Sequence, residues 1–242
     1  MVFNSKGHDG NLNLVLKPVG HIRCDLAGKF GVPRQSGLVD ALRAELVFCP
    51  PYRNRDALRG VEGFTHLWLI WGFHLNGASR QSGDWSPTVR PPRLGGNTRM
   101  GVFATRSPFR PNPLGLSCVR LLEVREDAPH GPVLVLTGAD LADGTPVYDV
   151  KPYVPYADCR PEAAGGFAAE RPEPLPVDCP PALLEALPEE KRPAAPGVLA
   201  QDPRPRYQDD PERVYGLSFA GRNVRFRVTG GRVEVLEISD NE

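Results

Sequence analysis

Apolar positions in the first 150 residues recur in short runs rather than at helical spacing. The runs are separated by turns rich in proline and glycine, as is typical of strands. Because many short strands must hide their edges, the pattern predicts a mainly β fold built on a small antiparallel β-barrel. The predicted strands are LNLVL (12–16), AELVFC (44–49), THLWLIWGF (65–73), MGVFAT (100–105), LSCVRLLEV (116–124) and PVLVLTG (132–138).

The pattern changes after this region. Fifteen of the 27 prolines fall between Pro146 and Pro211, which excludes a continuous sheet or helix there. One stretch, PALLEALPEEKR, has helical spacing of leucines, and three alternating strands follow (RVYGLSFA, RNVRFRVTG and RVEVLEI). We predict a barrel domain (12–158), a proline-rich connector with a short helix (159–197) and a β-meander (198–242) within a small C-terminal α+β domain.

Charge is balanced overall but clustered locally. Among 242 residues, Lys plus Arg and Asp plus Glu both number 29, so attraction to nucleic acid must come from clustering. The segment 86–120 contains six arginines and neither lysine nor carboxylate. A solvated surface run normally mixes signs, so we favour an anion-binding face over that simpler interpretation.

Several function classes are disfavoured. Five cysteines without a Cys-x-x-Cys pair argue against a disulfide framework and a zinc site, and we expect no metal. The N-terminus lacks the apolar core of a secretion signal and the longest apolar run, LWLIWGF, is too short for a bilayer, so we expect a cytoplasmic protein. No Gly-x-Gly spacing occurs, which excludes the Rossmann and Walker fingerprints.

Two segments carry polar groups next to predicted strands. In GKFGVPRQSGLV, Pro33 stiffens a loop that presents Arg34 and Gln35, although the loop could equally be an ordinary strand connection. The run WLIWGFHLN predicts a strand buried on both faces that ends at His74. A histidine there is usually structural, but it can orient or deprotonate a substrate where other polar groups converge.

The loop RSPFRPNPLG contains three prolines, which stiffen the positions of Arg106, Arg110 and Asn112. Rigid guanidinium groups suit a phosphate or a carboxylate and can stack on a base. Further along, Asp143 precedes a glycine, a pair that by itself indicates a turn. Near the arginine-rich loop, its carboxylate could instead accept the hydroxyl or amino groups of a nucleoside.

Arginines recur near the C-terminus. LAQDPRPRY places Arg204, Arg206 and Tyr207 among prolines, and RNVRFRV alternates arginines with apolar residues. Alternation puts Arg225 and Arg227 on one face of the sheet. Basic side chains interleaved with aromatic ones suit an RNA-facing surface, although half-exposed sheets also carry arginines for solubility.

Five motifs together resemble the TsaA-like (TrmO-type) family, in the family's order across nearly the whole chain. They are VPRQSGLV, YRNRDALRGVEGFTHLWLIWGFH, PTVRPPRLGGNTRMGVFATRSPFRPNPLGLS, DLADGTPVYDVKPYVPYAD and LAQDPRPRY. Bacterial members are S-adenosylmethionine-dependent methyltransferases that act on N6-threonylcarbamoyladenosine, the modified base just 3′ of the anticodon (position 37) in certain tRNAs. The resemblance implies a non-Rossmann β-barrel methyltransferase, a homodimer, S-adenosyl-L-methionine as cofactor and the tRNA anticodon stem-loop as partner.

The resemblance also implies which residues of the barrel domain hold the cofactor. They come from the PRQ loop, the end of the His74 strand, the loop after FAT, the strand after NPLG and the stretch before LADG. The residues are Pro33, Arg34, Gln35, His74, Leu75, Arg106, Leu116, Thr137, Gly138, Ala139 and Asp140.

Methyl transfer from a sulfonium is an in-line displacement in which the protein mainly supplies alignment, without a metal. The acceptor nitrogen lies between a purine and a carbonyl and is a poor nucleophile, so a proton acceptor should help. We hypothesise that His74 or Asp143 takes the proton. Asn112 and Arg110 would contact the threonylcarbamoyl group, whose carboxylate suits an arginine.

Charge also predicts a surface for the anticodon arm, with contacts to phosphates and stacked loop bases. Two alternatives remain: a non-catalytic RNA-binding or adaptor protein on the same fold, and a methyltransferase with a small-molecule acceptor. The intact PRQ, His74 and Arg106 favour catalysis over the adaptor. The predicted tRNA contacts are Arg90, Arg93, Arg99, Arg110, Lys151, Arg204, Arg206 and Arg225.

Overall fold

The computed structural model describes residues 14–76, 85–205 and 210–241. Twelve strands occur in this part of the chain, whereas its three α-helices are short, so the fold is mainly β as predicted. The strands are β1 (Gly20–Cys24), β2 (Arg43–Phe48), β3 (His66–Gly72), β4 (Thr88–Val89), β5 (Met100–Gly101), β6 (Leu114–Arg125), β7 (Val133–Thr137), β8 (Pro146–Pro152), β9 (Val177–Asp178), β10 (Tyr215–Phe219), β11 (Arg222–Thr229) and β12 (Arg232–Asp240). The helices are α1 (Pro155–Asp158), α2 (Pro181–Leu184) and α3 (Ala194–Ala200).

Six strands close into an antiparallel barrel in the order β1-β2-β7-β6-β3-β8. Closure leaves no exposed strand edge, which confirms the physical reason for expecting a barrel. Apolar side chains from alternate positions fill its interior, where each contributes on the order of 2 kcal/mol by leaving water. They include Ile22, Leu46, Leu67, Leu69, Val119, Leu134, Leu136 and Val147.

Two predicted strands differ from the observed ones. Residues 14–16 of LNLVL form no strand and are exposed, while Leu12 and Asn13 lie outside the described residues. The strand that pairs with β2 at this end of the chain is β1, which the sequence did not predict. MGVFAT extends as a strand only over Met100–Gly101, pairs with β4 outside the barrel and continues as a 3-10 turn, Val102–Ala104.

Strand β8 lies in the region that its prolines excluded from continuous sheet. Pro146 and Pro152 are its first and last residues, so neither removes a donor from the middle of the ladder. The expectation that the His74 strand is buried on both faces is also wrong. Along β3, fully buried residues alternate with half-buried ones, because one face lines the barrel and the other is the partly covered outer wall.

The C-terminal unit is a four-stranded sheet in the order β10-β11-β12-β9. The three predicted strands are confirmed, but β9 from the proline-rich region adds a parallel fourth. The predicted helix in PALLEALPEEKR is limited to α2, after which Leu187 enters the core and Glu189–Lys191 forms a 3-10 turn.

The C-terminal sheet packs against the segment between β1 and β2 in a second core, separate from the barrel interior. Leu26, Val39 and Leu42 from the barrel side pack with Phe219 and Phe226 of the sheet. Helix α3 belongs to the same core and runs across the boundary predicted between residues 197 and 198. The limits 12–158, 159–197 and 198–242 stay predictions, and the region 159–197 contributes β9 and Leu187 to the C-terminal unit.

All five cysteines are free, so no disulfide constrains the fold. Burial raises the pKa of the Cys24 thiol to about 12, which keeps it protonated near neutral pH. Within the described ranges, no helix has the length and apolar character needed to cross a bilayer.

Candidate cofactor and acceptor site

Backbone hydrogen bonds hold the loop between β1 and β2 against the end of β7. The Gly37 N–H donates to the Gly138 carbonyl at 2.8 Å, and the Gly138 N–H donates to the Leu42 carbonyl at 3.1 Å. Thr137 is buried, and its hydroxyl also donates to the Leu42 carbonyl at 3.1 Å. The PRQ loop therefore lies next to Thr137 and Gly138 at the end of β7. The resemblance assigns the loop and this strand end to one cofactor site.

Gln35, Arg106 and Asp140 converge at this end of the barrel, and we call them the polar cluster. Arg106 Nη1 donates to Gln35 Oε1 across 71 positions of sequence. The Ser117 hydroxyl donates to Asp140 Oδ1 at 2.5 Å and accepts a hydrogen bond from Trp71 Nε1 at 2.9 Å. This chain of bonds from the barrel interior holds the Asp140 carboxylate in place, and the Arg106 charge acts on it.

The electrostatics of Asp140 depend on opposing effects. Burial raises the pKa of its carboxyl, whereas the Ser117 hydrogen bond and the Arg106 charge lower it. The carboxylate is therefore most easily kept ionised when a cation lies beside it. Arg106 is that cation in the structure, and a bound positively charged ligand would act in the same direction.

His74 follows β3 and lies against the loop that precedes β8. The backbone of Asp143 acts on its ring, and its Nε2 lies near Gly144. Partial burial lowers the pKa of His74 below its usual 6.5, with the Asp143 carbonyl and charge acting the other way. A neutral imidazole that donates from one nitrogen keeps the other as an acceptor, which suits a proton-accepting role.

Asn76 joins three loops at this end of the barrel. Its side-chain oxygen accepts from Lys29 Nζ at 3.0 Å, and its Nδ2 donates to the Pro108 carbonyl at 3.4 Å. The segment after His74 thus contacts both the loop before the PRQ motif and the arginine-rich loop after FAT. Lys29 and Asn76 are site-forming residues that the sequence analysis did not assign.

Four other predicted site residues lie in loops or on the outer face of the barrel. The Asp143 carboxylate accepts from the Cys24 N–H at 3.0 Å, which gives it a structural role at the end of β1. Arg110 Nη1 donates to the Thr105 carbonyl at 3.1 Å and so holds its own loop. Asn112, in the same loop, is exposed. Leu116 is 55% exposed on the outer face of β6, where it offers an apolar contact surface.

Pro33 and Ala139 are buried, so any contact with a ligand would be through their backbone or their apolar surface. Leu75 is half-buried. Ser117 could have been suspected from sequence, because a serine inside the apolar run LSCVRLL needs a hydrogen-bond partner. Neither the partner Asp140 nor the donor Trp71 follows from sequence spacing.

The predicted tRNA-contacting residues divide into two groups. Arg99 donates to Thr88 Oγ1 at 3.1 Å and Arg93 to the Glu170 carbonyl, both neutral partners, and no carboxylate in the described part of the chain balances either charge. Lys151, Arg204 and Arg225 instead pair with carboxylates: with Asp149 at 3.2 Å, Asp202 at 2.8 Å and Glu237 at 3.0 Å. Arg206 and Tyr207 lie outside the described residues.

The described ranges contain no cluster of three or more His, Cys, Asp or Glu side chains placed to hold a metal ion.

Two family models match the chain: the tRNA-methyltransferase O N-terminal domain over residues 21–159 and the TrmO C-terminal domain over residues 172–241. The chain is 46% identical over 231 residues to a tRNA (adenine(37)-N6)-methyltransferase of Escherichia coli, covering 91% of this chain and 95% of that protein. It is 42% identical over 235 residues to a putative S-adenosylmethionine-dependent methyltransferase of Pseudomonas aeruginosa, covering 93% and 96%.

Solved structures agree with these matches. A crystal structure of TrmO from Pseudomonas aeruginosa superposes with a TM-score of 0.74 at 34% identity, and the match covers 94% of this chain and 99% of that one. The likeness extends over the barrel and the C-terminal sheet. On both sequence and structure, the chain belongs to the tRNA-methyltransferase O family.

Proposed function

We propose that this chain is an S-adenosylmethionine-dependent methyltransferase that methylates N6 of adenosine 37 in tRNA when that base carries a threonylcarbamoyl group. The observation that carries the proposal is the polar cluster of Gln35, Arg106 and Asp140, assembled beside the PRQ loop at one end of the barrel. The names of the full-length relatives support the reaction and the position of the base.

The donor set at this end fits S-adenosylmethionine. That molecule presents a carboxylate, an ammonium, a sulfonium, a ribose diol and a planar base. Arg106 suits the carboxylate, Asp140 suits the cationic or hydroxyl groups, and Gln35 can both donate and accept. Leu116 offers apolar surface to the base.

The bound cofactor supplies the electrophilic methyl group, and the residues of this chain align the acceptor and accept its proton. His74 fits the proton acceptor better than Asp143, because the Asp143 carboxylate already accepts from the Cys24 N–H. The His74 ring lies against the loop that contains Asp143 and Gly144. Asn112, on the adjacent loop, would hold the substituted base in line.

A pH profile tests the role of His74. Because burial lowers its pKa from 6.5, we expect the rate of methyl transfer to be level near neutral pH and to fall only as the pH drops below that value. His74→Gln should lose about 100-fold in kcat and also lose the acidic fall. A variant that keeps both the wild-type rate and the same acidic fall would show that His74 does not take the proton.

The β4–β5 hairpin region supplies the surface that best fits the anticodon arm. Within the described part of the chain, Arg90, Arg93 and Arg99 have no carboxylate partner, and Trp85 and Phe103 stand exposed nearby with ring centroids 6.0 Å apart. Unbalanced guanidinium groups beside exposed rings suit phosphates and unstacked bases.

Salt dependence tests this surface. Replacing both Arg90 and Arg99 with Gln should weaken tRNA binding. The slope of log K against log salt should become less steep by about 2, one for each lost phosphate contact. Arg225→Gln is the matched control, because Arg225 already pairs with Glu237 and should change the slope little. Equal effects of the two replacements would place the tRNA elsewhere.

The proposal also includes a homodimer in the cytoplasm, as the family resemblance implies. Light scattering on the full chain should give twice the monomer mass. A monomer at concentrations where methyl transfer proceeds would contradict this part of the proposal.

The reaction is tested by incubating the pure protein with labelled S-adenosylmethionine and tRNA that carries or lacks threonylcarbamoyladenosine. We expect the label only in the modified tRNA, in a methylated nucleoside identified by mass spectrometry. Cofactor binding without transfer would point to another acceptor, and no cofactor binding would leave an RNA-binding adaptor.

A further inference from the structure

A chain of hydrogen bonds runs from the barrel interior to the carboxylate of Asp140, and we call it the interior chain. Trp71 Nε1 on β3 donates to Ser117 Oγ on β6 at 2.9 Å. Ser117 Oγ donates in turn to Asp140 Oδ1, just beyond β7, at 2.5 Å. The proposed reaction uses Asp140 but assigns no role to Trp71 or Ser117.

The first member of the interior chain fixes the direction of its protons. An indole N–H can only donate, so Ser117 Oγ accepts from Trp71. The hydroxyl proton of Ser117 is then directed at Asp140 Oδ1. An oxygen that accepts this proton cannot carry a proton of its own towards Ser117. The chain therefore favours the charged carboxylate over the neutral acid.

The indole ring of Trp71 is held in one place by its neighbours. Gly115 is its partner across the ladder between β3 and β6, and a Cβ at Gly115 would lie 2.3 Å from Cε2 of the ring. Phe73 packs edge-on against the other side, with ring centroids 4.3 Å apart. The ring therefore cannot turn its N–H away from Ser117 without displacing packed groups.

The Asp140 carboxyl needs such support because it is buried. Burial raises its pKa, and among the groups that lower the pKa the Ser117 hydroxyl has the largest effect. The charge of Arg106 and the backbone of Ser36, from the loop after PRQ, act in the same direction as Ser117. Loss of the Ser117 hydroxyl would therefore leave Arg106 and Ser36 to oppose the burial.

A buried serine can also have a purely structural role, because every buried hydroxyl needs a partner. Thr145 illustrates that case, since it is as buried as Ser117 and donates to the Ala142 carbonyl at 2.7 Å. Ser117 donates instead to an ionisable side chain at the predicted cofactor site. Its hydrogen bond therefore acts on the ionisation of a site residue as well as on packing.

We propose that Ser117 is a positioning residue of the cofactor site, which together with Trp71 holds Asp140 as a carboxylate that accepts hydrogen bonds from S-adenosylmethionine. This inference rests on the cofactor part of the proposed function and deepens it. Ser117 and Trp71 act through Asp140, so neither needs to touch the cofactor. The barrel interior thus helps to set the affinity of the site.

The test measures the dissociation constant of S-adenosylmethionine for the full chain by equilibrium dialysis, from acidic to neutral pH. Ser117→Ala should weaken binding about 10-fold near neutral pH, as expected for the loss of a hydrogen bond to a charged group. Because the pKa of Asp140 rises when this bond is lost, the acidic fall in affinity should begin at a higher pH than in the wild type. At saturating cofactor, kcat should stay close to the wild-type value while KM for the cofactor rises.

Three further variants separate the hydrogen bond from packing. Ser117→Thr keeps the hydroxyl and should recover most of the affinity. Trp71→Phe keeps a ring but removes the N–H, and should give a smaller loss with the pH dependence displaced in the same direction. Ser218→Ala is the matched control, because this strand serine accepts from Asn241 in the C-terminal sheet. It should bind S-adenosylmethionine like the wild type.

Wild-type affinity at every pH in Ser117→Ala would overturn the inference. A loss of the same size at every pH would also overturn it, because that result would leave Ser117 a structural role alone. Failure of the proposed function is seen separately. A wild-type protein that shows the Ser117 effect but methylates no tRNA would remove the function and keep this inference, whereas one that binds no S-adenosylmethionine would overturn both.

Discussion

Replacing Arg106 with Ala is expected to lower kcat/KM for methyl transfer by about 100-fold or more, the usual effect of removing a preorganised charged donor from an active site. Arg106 donates to Gln35, and its charge opposes the burial that raises the pKa of Asp140. Without the guanidinium, the Asp140 carboxyl binds its proton more tightly, so the site loses a cation and part of its anionic character together.

The measurement is a comparison of methyl transfer with the dissociation constant of S-adenosylmethionine, obtained by equilibrium dialysis. Arg106→Ala should weaken cofactor binding, and the remaining binding should decline further as the pH is lowered. Arg106→Lys is the control, because it restores the charge but not the planar fork, and should recover part of the loss. Unchanged cofactor affinity in Arg106→Ala would show that Arg106 does not touch the cofactor.

Phe226→Ala is expected to lower the free energy of unfolding by about 3–5 kcal/mol, the range for removal of a buried aromatic ring. Phe226 is fully buried on β11. Its ring packs against Tyr215 with centroids 5.5 Å apart and against Phe30 of the barrel-side loop at 6.3 Å. The cavity would therefore open where the C-terminal sheet meets the loop before the PRQ motif.

Urea unfolding, monitored by circular dichroism, measures this loss of unfolding free energy. Phe226→Leu refills part of the space and should cost clearly less. A loss below about 1 kcal/mol would mean that the two units do not depend on this ring stack.

The barrel could be predicted because its strands are short, apolar and separated by turn residues. Two barrel strands that the sequence did not predict, β1 and β8, show the limit of that signal. GHIRC in β1 has two apolar residues among polar ones, and PVYDVKP in β8 begins and ends with proline, yet both complete the ladder. Conversely, LNLVL has the pattern of a strand but, over its described residues, no partner to pair with. Strand formation depends on a neighbour far away in the chain, which local composition does not contain.

The site shows the same division. The sequence resemblance pointed to Gln35, Arg106 and Asp140 separately. In the structure Arg106 donates to Gln35, 71 positions away, and its charge acts on Asp140. Arg225 pairs with Glu237, and Arg110 donates to a carbonyl of its own loop, contacts that the sequence did not predict for either arginine. Charge in a sequence identifies cations, but only packing decides which of them are already balanced.

The sequence by itself determined the fold class and the family, because hydrophobic periodicity and contiguous motifs are local properties of the chain. Its residues for the cofactor site stay predictions. The tertiary structure alone decided which strands close the barrel and how Ser117 and Trp71 orient Asp140. It also decided that Arg106 meets Gln35, which lies 71 positions away in the chain. These features join residues distant in sequence, and their energies arise from burial and from the distances between charges, which exist only once the chain is folded.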